Sequence, residues 1–243
     1  EGTNLGHALY ESALIDQKAK EPRLAANKLE RLVSEVPDYP SMDQVLYELG
    51  WSLQESGDDS AAARYFTELI TKHPETPLVA EAAYFVGQRN YAAKKWDEAA
   101  KFFRIAATQA EEPSLSEKAF YRLGWSLFKT PDYDASEQAF ATMAKQHSDG
   151  KLAFDADMMV GECRFKRGDF QSAFDGYSAA RDRIRKTDDT SKTIREGAER
   201  QVRELVFLHG GQSAAQLEQW DEAIKWYDEL RERFPSSNYL PQI

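Results

Sequence analysis

Residues 46–74 read LYELGWSLQESGDDSAAARYFTELITKHP, and this stretch decides the fold. Leu46, Leu49, Gly50 and Leu53 recur at helical spacing, which puts an apolar stripe on one helix. Ser56-Gly57-Asp58-Asp59 breaks that stripe, glycine serving as a helix stop and aspartate as the next cap. Ala62, Phe66 and Leu69 then mark the buried face of a second helix. His73-Pro74 ends it, because a residue before proline is pushed out of the α region. The unit is a helix–turn–helix.

The same unit recurs along the chain. Ala13, Gly50, Gly87, Gly124 and Gly161 follow one another at intervals of 37 residues, and Gly211 comes 50 after the last of them. In register with these stand Trp96, Ala99 and Phe103, then Tyr133, Ser136 and Phe140, then Phe170, Ala173 and Tyr177, then Trp220, Ala223 and Tyr227. The first unit, with Ala25, Leu29 and Pro37, departs most from the pattern, as a terminal unit should. A period of this length implies an array in which each unit packs on its neighbours. The expected fold is therefore all-α: an α-α superhelix, or solenoid, of six repeats and about twelve helices. The repeats are placed at about 5–41, 42–78, 79–115, 116–152, 153–190 and 191–243, in one continuous body over 1–243. The last is expected to open with a long helix, from about Ser191 to Leu217. The glycines are small because two helices cross there, and a bulkier residue would overpack the crossing.

Leu-Gly, then a small residue, then an aromatic four later, then proline, is a residue order similar to that of the tetratricopeptide repeat. The resemblance covers six units and essentially the whole chain. The usual period of that family is about 34, and three extra residues here follow the proline, as in Pro74-Glu-Thr-Pro-Leu-Val-Ala-Glu-Ala. This longer link resembles the variant in bacterial envelope proteins such as the TolA-binding periplasmic protein and the lipoprotein component of outer-membrane β-barrel assembly. The resemblance implies a protein-interaction role and a periplasmic or outer-membrane-associated setting, with a cytoplasmic one left open. The first repeat begins almost at residue 1, and Pro235–Ile243 resembles a link into a further repeat, so the chain reads as a piece of a longer protein.

Composition narrows function further. A net charge of −10 argues against general affinity for phosphate backbones, which needs clustered Lys and Arg. No apolar run is long enough to cross a membrane. The single Cys163 has no neighbouring His and reads as a passive small residue. No His pair shows the i, i+4 spacing of a zinc site, and no glycine-rich phosphate loop occurs. His209-Gly210-Gly211 is similar to the oxyanion loop of esterases, but no nucleophile elbow accompanies it. No catalytic residue, metal or cofactor is assigned, and the chain is read as a non-enzyme.

Two surface features are candidates for binding. On the first helices, Tyr10, Tyr47, Tyr84 and Tyr121 stand three residues before the crossing position. Trp51 and Trp125 stand one after it, and Tyr91, Phe128 and Phe165 four after it. These slots share a helix face. Since the leucines of the same helices already supply a core stripe, this aromatic ladder is either the lining of a partner-binding groove or a second layer of packing. In tetratricopeptide arrays the first helices line the concave side, which the resemblance carries over to the ladder. Tyr and Trp suit an apolar or aromatic-rich protein or peptide segment rather than a terminal carboxylate. The second feature is basic. From residue 181 to 203, eight Lys or Arg stand against five Asp or Glu. Arg181, Arg183, Arg185, Lys186, Lys192 and Arg195 make a possible docking patch, or simply a solvated face. Self-association of the array is the alternative role.

Overall fold

The computed structural model describes residues 2–188 and 198–243, with side chains over 4–185 and 200–243. Among the described residues, regular structure is helical throughout. The helices are α1 (Gly2–Lys18), α2 (Pro22–Glu35), α3 (Met42–Glu55), α4 (Asp59–Lys72), α5 (Val79–Ala92), α6 (Trp96–Gln109), α7 (Pro113–Lys129), α8 (Tyr133–Gln146), α9 (Ala153–Lys166), α10 (Phe170–Asp188), α11 (Ala198–Gln216) and α12 (Trp220–Arg233), with a short 3-10 turn at Leu240–Gln242. The expected long helix is present as α11 with Gly211 in its interior; its expected start, from Ser191, lies outside the described residues.

The chain divides into two compact units, Glu1–Ala119 and Phe120–Ile243. In the first, consecutive helices pack on one another from α1 through α6. In the second the same holds from α8 through α12, and α9 also meets α11. Each unit is a stack of helical hairpins, the arrangement of an all-α solenoid.

The period is written in the backbone as well as in the side chains. Positive φ occurs at Lys20, Gly57, Lys94, Pro131, Gly168 and Glu218, which is one and the same place in every repeat. The residue after each donates its N–H to the carbonyl five residues earlier: Glu21 to Asp16, Asp58 to Leu53, Lys95 to Asn90, Asp132 to Leu127, Asp169 to Arg164 and Gln219 to Ala214, all at 2.9–3.1 Å. This is the left-handed C-cap that satisfies the last carbonyls of a helix. Only Gly57 and Gly168 fill it with the residue best suited to it. Asp58 and Asp132 then cap the next helix through the backbone N–H of Ala61 and Ala135.

The first hairpin pairs Ala13 with Leu29 sixteen positions later, and each later hairpin closes around a glycine and the aromatic side chain at that same distance. A Cβ on Gly50 would lie 2.5 Å from the Phe66 ring, one on Gly87 2.8 Å from Phe103, and one on Gly124 2.7 Å from Phe140. Gly161 meets Tyr177 at 3.0 Å in the same way. The last repeat has two such pairs, Gly210 under Trp226 and Gly211 under Tyr227, both at 2.3 Å. The second glycine of His209-Gly210-Gly211 is thus the crossing residue, and the first makes room for a fully buried Trp226.

Because Phe140 is fully buried and cannot swing away, Gly124→Ala should destabilise by about 1–3 kcal/mol, as overpacking does. Phe103→Ala should cost about 3–5 kcal/mol. Lys94→Gly should stabilise by roughly 0.5–1 kcal/mol, since glycine takes the left-handed conformation without a Cβ clash. Urea denaturation followed by circular dichroism measures all three; a neutral Gly124→Ala would show that the crossing is looser than the distances say.

Candidate functional site

The ladder residues Tyr10, Tyr47, Trp51, Tyr84, Tyr91, Tyr121, Trp125, Phe128 and Phe165 are all half-buried. One side of each ring is packed on another aromatic. Trp51 lies edge-on to Phe66 with centroids 5.2 Å apart and to Phe85 at 5.8 Å. Tyr84 and Tyr91 both reach Phe103, at 5.6 and 6.3 Å, and Tyr10 stands 6.2 Å from Tyr39. In the second unit Tyr121 and Trp125 rest on Phe140 at 5.9 and 6.2 Å, while Phe128 packs on Tyr133 and Phe165 on Phe170. The ladder is therefore the outer layer of the core, with rings of restricted freedom whose remaining surface faces outward. That is an economical geometry for recognition, because little rotamer entropy is left to lose.

The hydroxyls are held at a second repeat distance. Tyr47 donates to Glu81 and Tyr121 to Asp155, the latter at 3.4 Å, each 34 residues along on the first turn of the next first helix. Burial, then the Glu81 carboxylate, pushes the Tyr47 hydroxyl well above the usual tyrosine range, so it stays a donor. The acidic partner is absent at Tyr10, whose counterpart 34 residues on is Gln44, and reversed at Tyr84, whose counterpart is Lys118.

Around that break, in the first unit, lies a surface cleft of ≈ 430 Å³. Trp51, Tyr84, Phe85 and Leu115 form its apolar walls, from α3, α5 and the start of α7. Gln54 and Gln88 bring amides that donate and accept together, as a peptide backbone requires. Glu81, Glu112 and Lys118 stand at its edge. Glu112 is already committed: the Ser114 hydroxyl and the Leu115 N–H at 2.7 Å hold its carboxylate, keeping it below its ordinary range. Of these lining residues the ladder contains only Trp51 and Tyr84. Phe85 hides beside Val86 in an apolar run, and Lys118 gains meaning only through the 34-residue offset from Tyr84.

The basic patch behaves differently residue by residue. Arg181 is mostly buried, its guanidinium 3.8 Å above the Trp226 ring and 3.6 Å from Glu222. Arg183 meets Asp157 at 3.0 Å. Arg185 forms a two-pronged pair with Glu229 of α12, one arm at 2.9 Å. The side chain of Lys186, and Lys192 and Arg195 altogether, lie outside the described residues.

Four polar side chains of the second unit, Cys163, Glu162, Tyr177 and His209, are held in buried contacts. The Cys163 thiol donates to Ser136 at 3.3 Å, and burial pushes its pKa up to about 11, away from a reactive thiolate. Buried Glu162 accepts the Tyr177 hydroxyl at 2.6 Å and pairs with Nδ1 of His209, whose ring stacks on Phe165. Among the described residues no three His, Cys, Asp or Glu side chains are grouped to hold a metal ion, and no helix is long and apolar enough to cross a membrane.

Residues 39–197 match the family model of the tetratricopeptide repeat-like domain, and residues 206–237 match that of the tetratricopeptide repeat. Among solved structures, YrrB, described as a TPR protein with an unusual peptide-binding site, superposes with a TM-score of 0.62 at 14% identity, over 89% of this chain and 97% of its own. The MamA protein gives 0.56 at 14% identity, over 79% and 98%. PilW, described as a widely conserved type IV pilus biogenesis factor, gives 0.53 at 14% identity, over 98% and 97%. At these identities the likeness is one of fold. A search of curated proteins finds no match.

The Arg185–Glu229 pair predicts an acid limb of stability. Burial raises the Glu229 carboxyl, but hydrogen bonds from Arg185 and Arg233 outweigh it and hold the value below the ordinary 4.5. A carboxyl lowered on folding stabilises fully above its unfolded value, and that contribution fades as pH falls through the folded one. Glu229→Gln should therefore lower the melting temperature at neutral pH, with the gap to wild type closing at pH below about 4. A gap that persists unchanged into acid would mean that packing, not charge, is what the substitution removes.

Proposed function

The chain belongs to the tetratricopeptide repeat-like family, and we propose that it is a non-catalytic scaffold that binds a protein or peptide segment through the aromatic ladder of its first helices. Proteins of this family are generally non-catalytic adaptors. The observation that carries the reading is the cleft of the first unit, where Trp51, Tyr84, Phe85 and Leu115 offer apolar surface between the amides of Gln54 and Gln88. An apolar or aromatic side chain would enter between the rings while the two amides meet the backbone beside it. Tyr121, Trp125, Phe128 and Phe165 offer a comparable half-buried surface in the second unit. YrrB's description as peptide-binding supports the class of partner, and PilW's as a pilus biogenesis factor supports a role in bacterial envelope assembly. The long link after Pro74 points the same way.

Selection from a random-peptide display library tests this. Wild-type protein should enrich peptides with aromatic or large aliphatic residues, and Trp51→Ala with Tyr84→Ala should weaken their binding by at least about 2 kcal/mol in calorimetry, as loss of anchors does. Peptides that bind the double variant as tightly as the wild type would place recognition elsewhere.

A further inference from the structure

Trp220 opens α12 and is 61% exposed. Its counterparts Trp96, Tyr133 and Phe170 each pack on an aromatic five residues earlier, Tyr91, Phe128 and Phe165. Ala215 occupies that place here, so a cause of the exposure lies within the hairpin itself. Trp220 lines a surface cleft of ≈ 600 Å³ whose other wall is the preceding hairpin, through Phe174, Ser178 and Arg181 of α10. Both α10 and α12 are second helices, so this cleft is separate from the ladder, which stands on first helices.

The charges in the cleft are unequally matched. Arg181 and Lys225 both pair with Glu222, at 3.6 and 3.1 Å. Glu218 and Asp221 line the same cleft, are exposed, and have no ion pair among the described residues. Asp221 suits the first turn of α12, where a carboxylate meets the positive end of the helix dipole. Glu218 stands outside the helix, in the left-handed turn before it.

An aromatic ring beside a carboxylate is a combination that this molecule fills with arginine elsewhere. Arg181 lies 3.8 Å above the Trp226 ring of α12 and meets Glu222. Arg183 lies 5.5 Å over the Phe154 ring of α9 and meets Asp157 at 3.0 Å. A guanidinium suits both partners, because its flat face stacks on the ring while its N–H groups reach the carboxylate. Trp220 with Glu218 and Asp221 is a third such set, and no cation of the described residues fills it.

We infer that this cleft receives an arginine side chain of a protein partner, stacked on Trp220 and paired with Glu218 or Asp221. The site is independent of the aromatic cleft of the first unit and stands or falls without it.

Random-peptide display tests the inference, with selection on the wild-type chain and depletion of peptides that also bind Trp220→Ala. The surviving peptides should carry at least one arginine. A synthetic peptide from that set should lose at least about fivefold in affinity when its arginine is replaced by citrulline, the neutral isostere. Trp220→Ala should lose at least as much with the arginine peptide. It changes no charge, so it separates stacking from the general attraction of a chain of net charge −10 for basic peptides. Glu218→Gln with Asp221→Asn should also weaken binding, and by less in added salt, as a charge pairing requires. All three positions are exposed, so circular dichroism and melting should match wild type. A surviving set without arginine overturns the inference. So does a peptide that binds as tightly with citrulline in place of arginine, or as tightly to Trp220→Ala as to wild type.

Discussion

Everything in this molecule depends on one contact, a small residue on a first helix lying flat under the side chain sixteen residues later on the second. At Gly50, Gly87 and Gly124 the partner is a fully buried phenylalanine, and no Cβ would fit beneath it. The close approach sets the hairpin's crossing, and the hairpin's shape sets how the next one stacks. Where the contact changes, the structure responds locally. In the last repeat a second ring, Trp226, is accommodated by a second glycine, Gly210. Arg181 of the preceding hairpin then lies over that indole, so the arginine-rich stretch begins as a packing element.

The same economy explains why the ladder is suited to binding. A ring that already rests on the core pays little entropy to meet a partner, and its outward face is held open without exposing a large mobile apolar patch. The offset of 34 residues between Tyr47 and Glu81, or Tyr121 and Asp155, locks the rings from the polar end. Gln44 and Lys118 stand in the carboxylate's place at the other two steps, and Lys118 lines the cleft.

Stacking slots inside the array hold serine, cysteine, alanine, paired charges and, at Phe174, an aromatic ring packed on Trp226 of the next hairpin.

The helix–turn–helix unit, its count, its turns and its crossing glycines were all legible in the chain, because each rests on local rules that repeat at 37 residues and reinforce one another. The left-handed cap at Lys20, Lys94 and Glu218 was not, since glycine marks it only at Gly57 and Gly168 and packing imposes it on the rest. The ladder could be placed on one helix face from spacing alone. Spacing could not say that each ring would be half-buried, because that depends on Phe66, Phe85, Phe103 and Phe140 arriving from neighbouring helices. Nor could it tell that Arg181 and Arg185 would be drawn against Trp226 and Glu229. Periodicity determines which residues recur; only the stacked hairpins decide which of those recurring side chains meet, since the partners lie tens of residues apart and come together through packing.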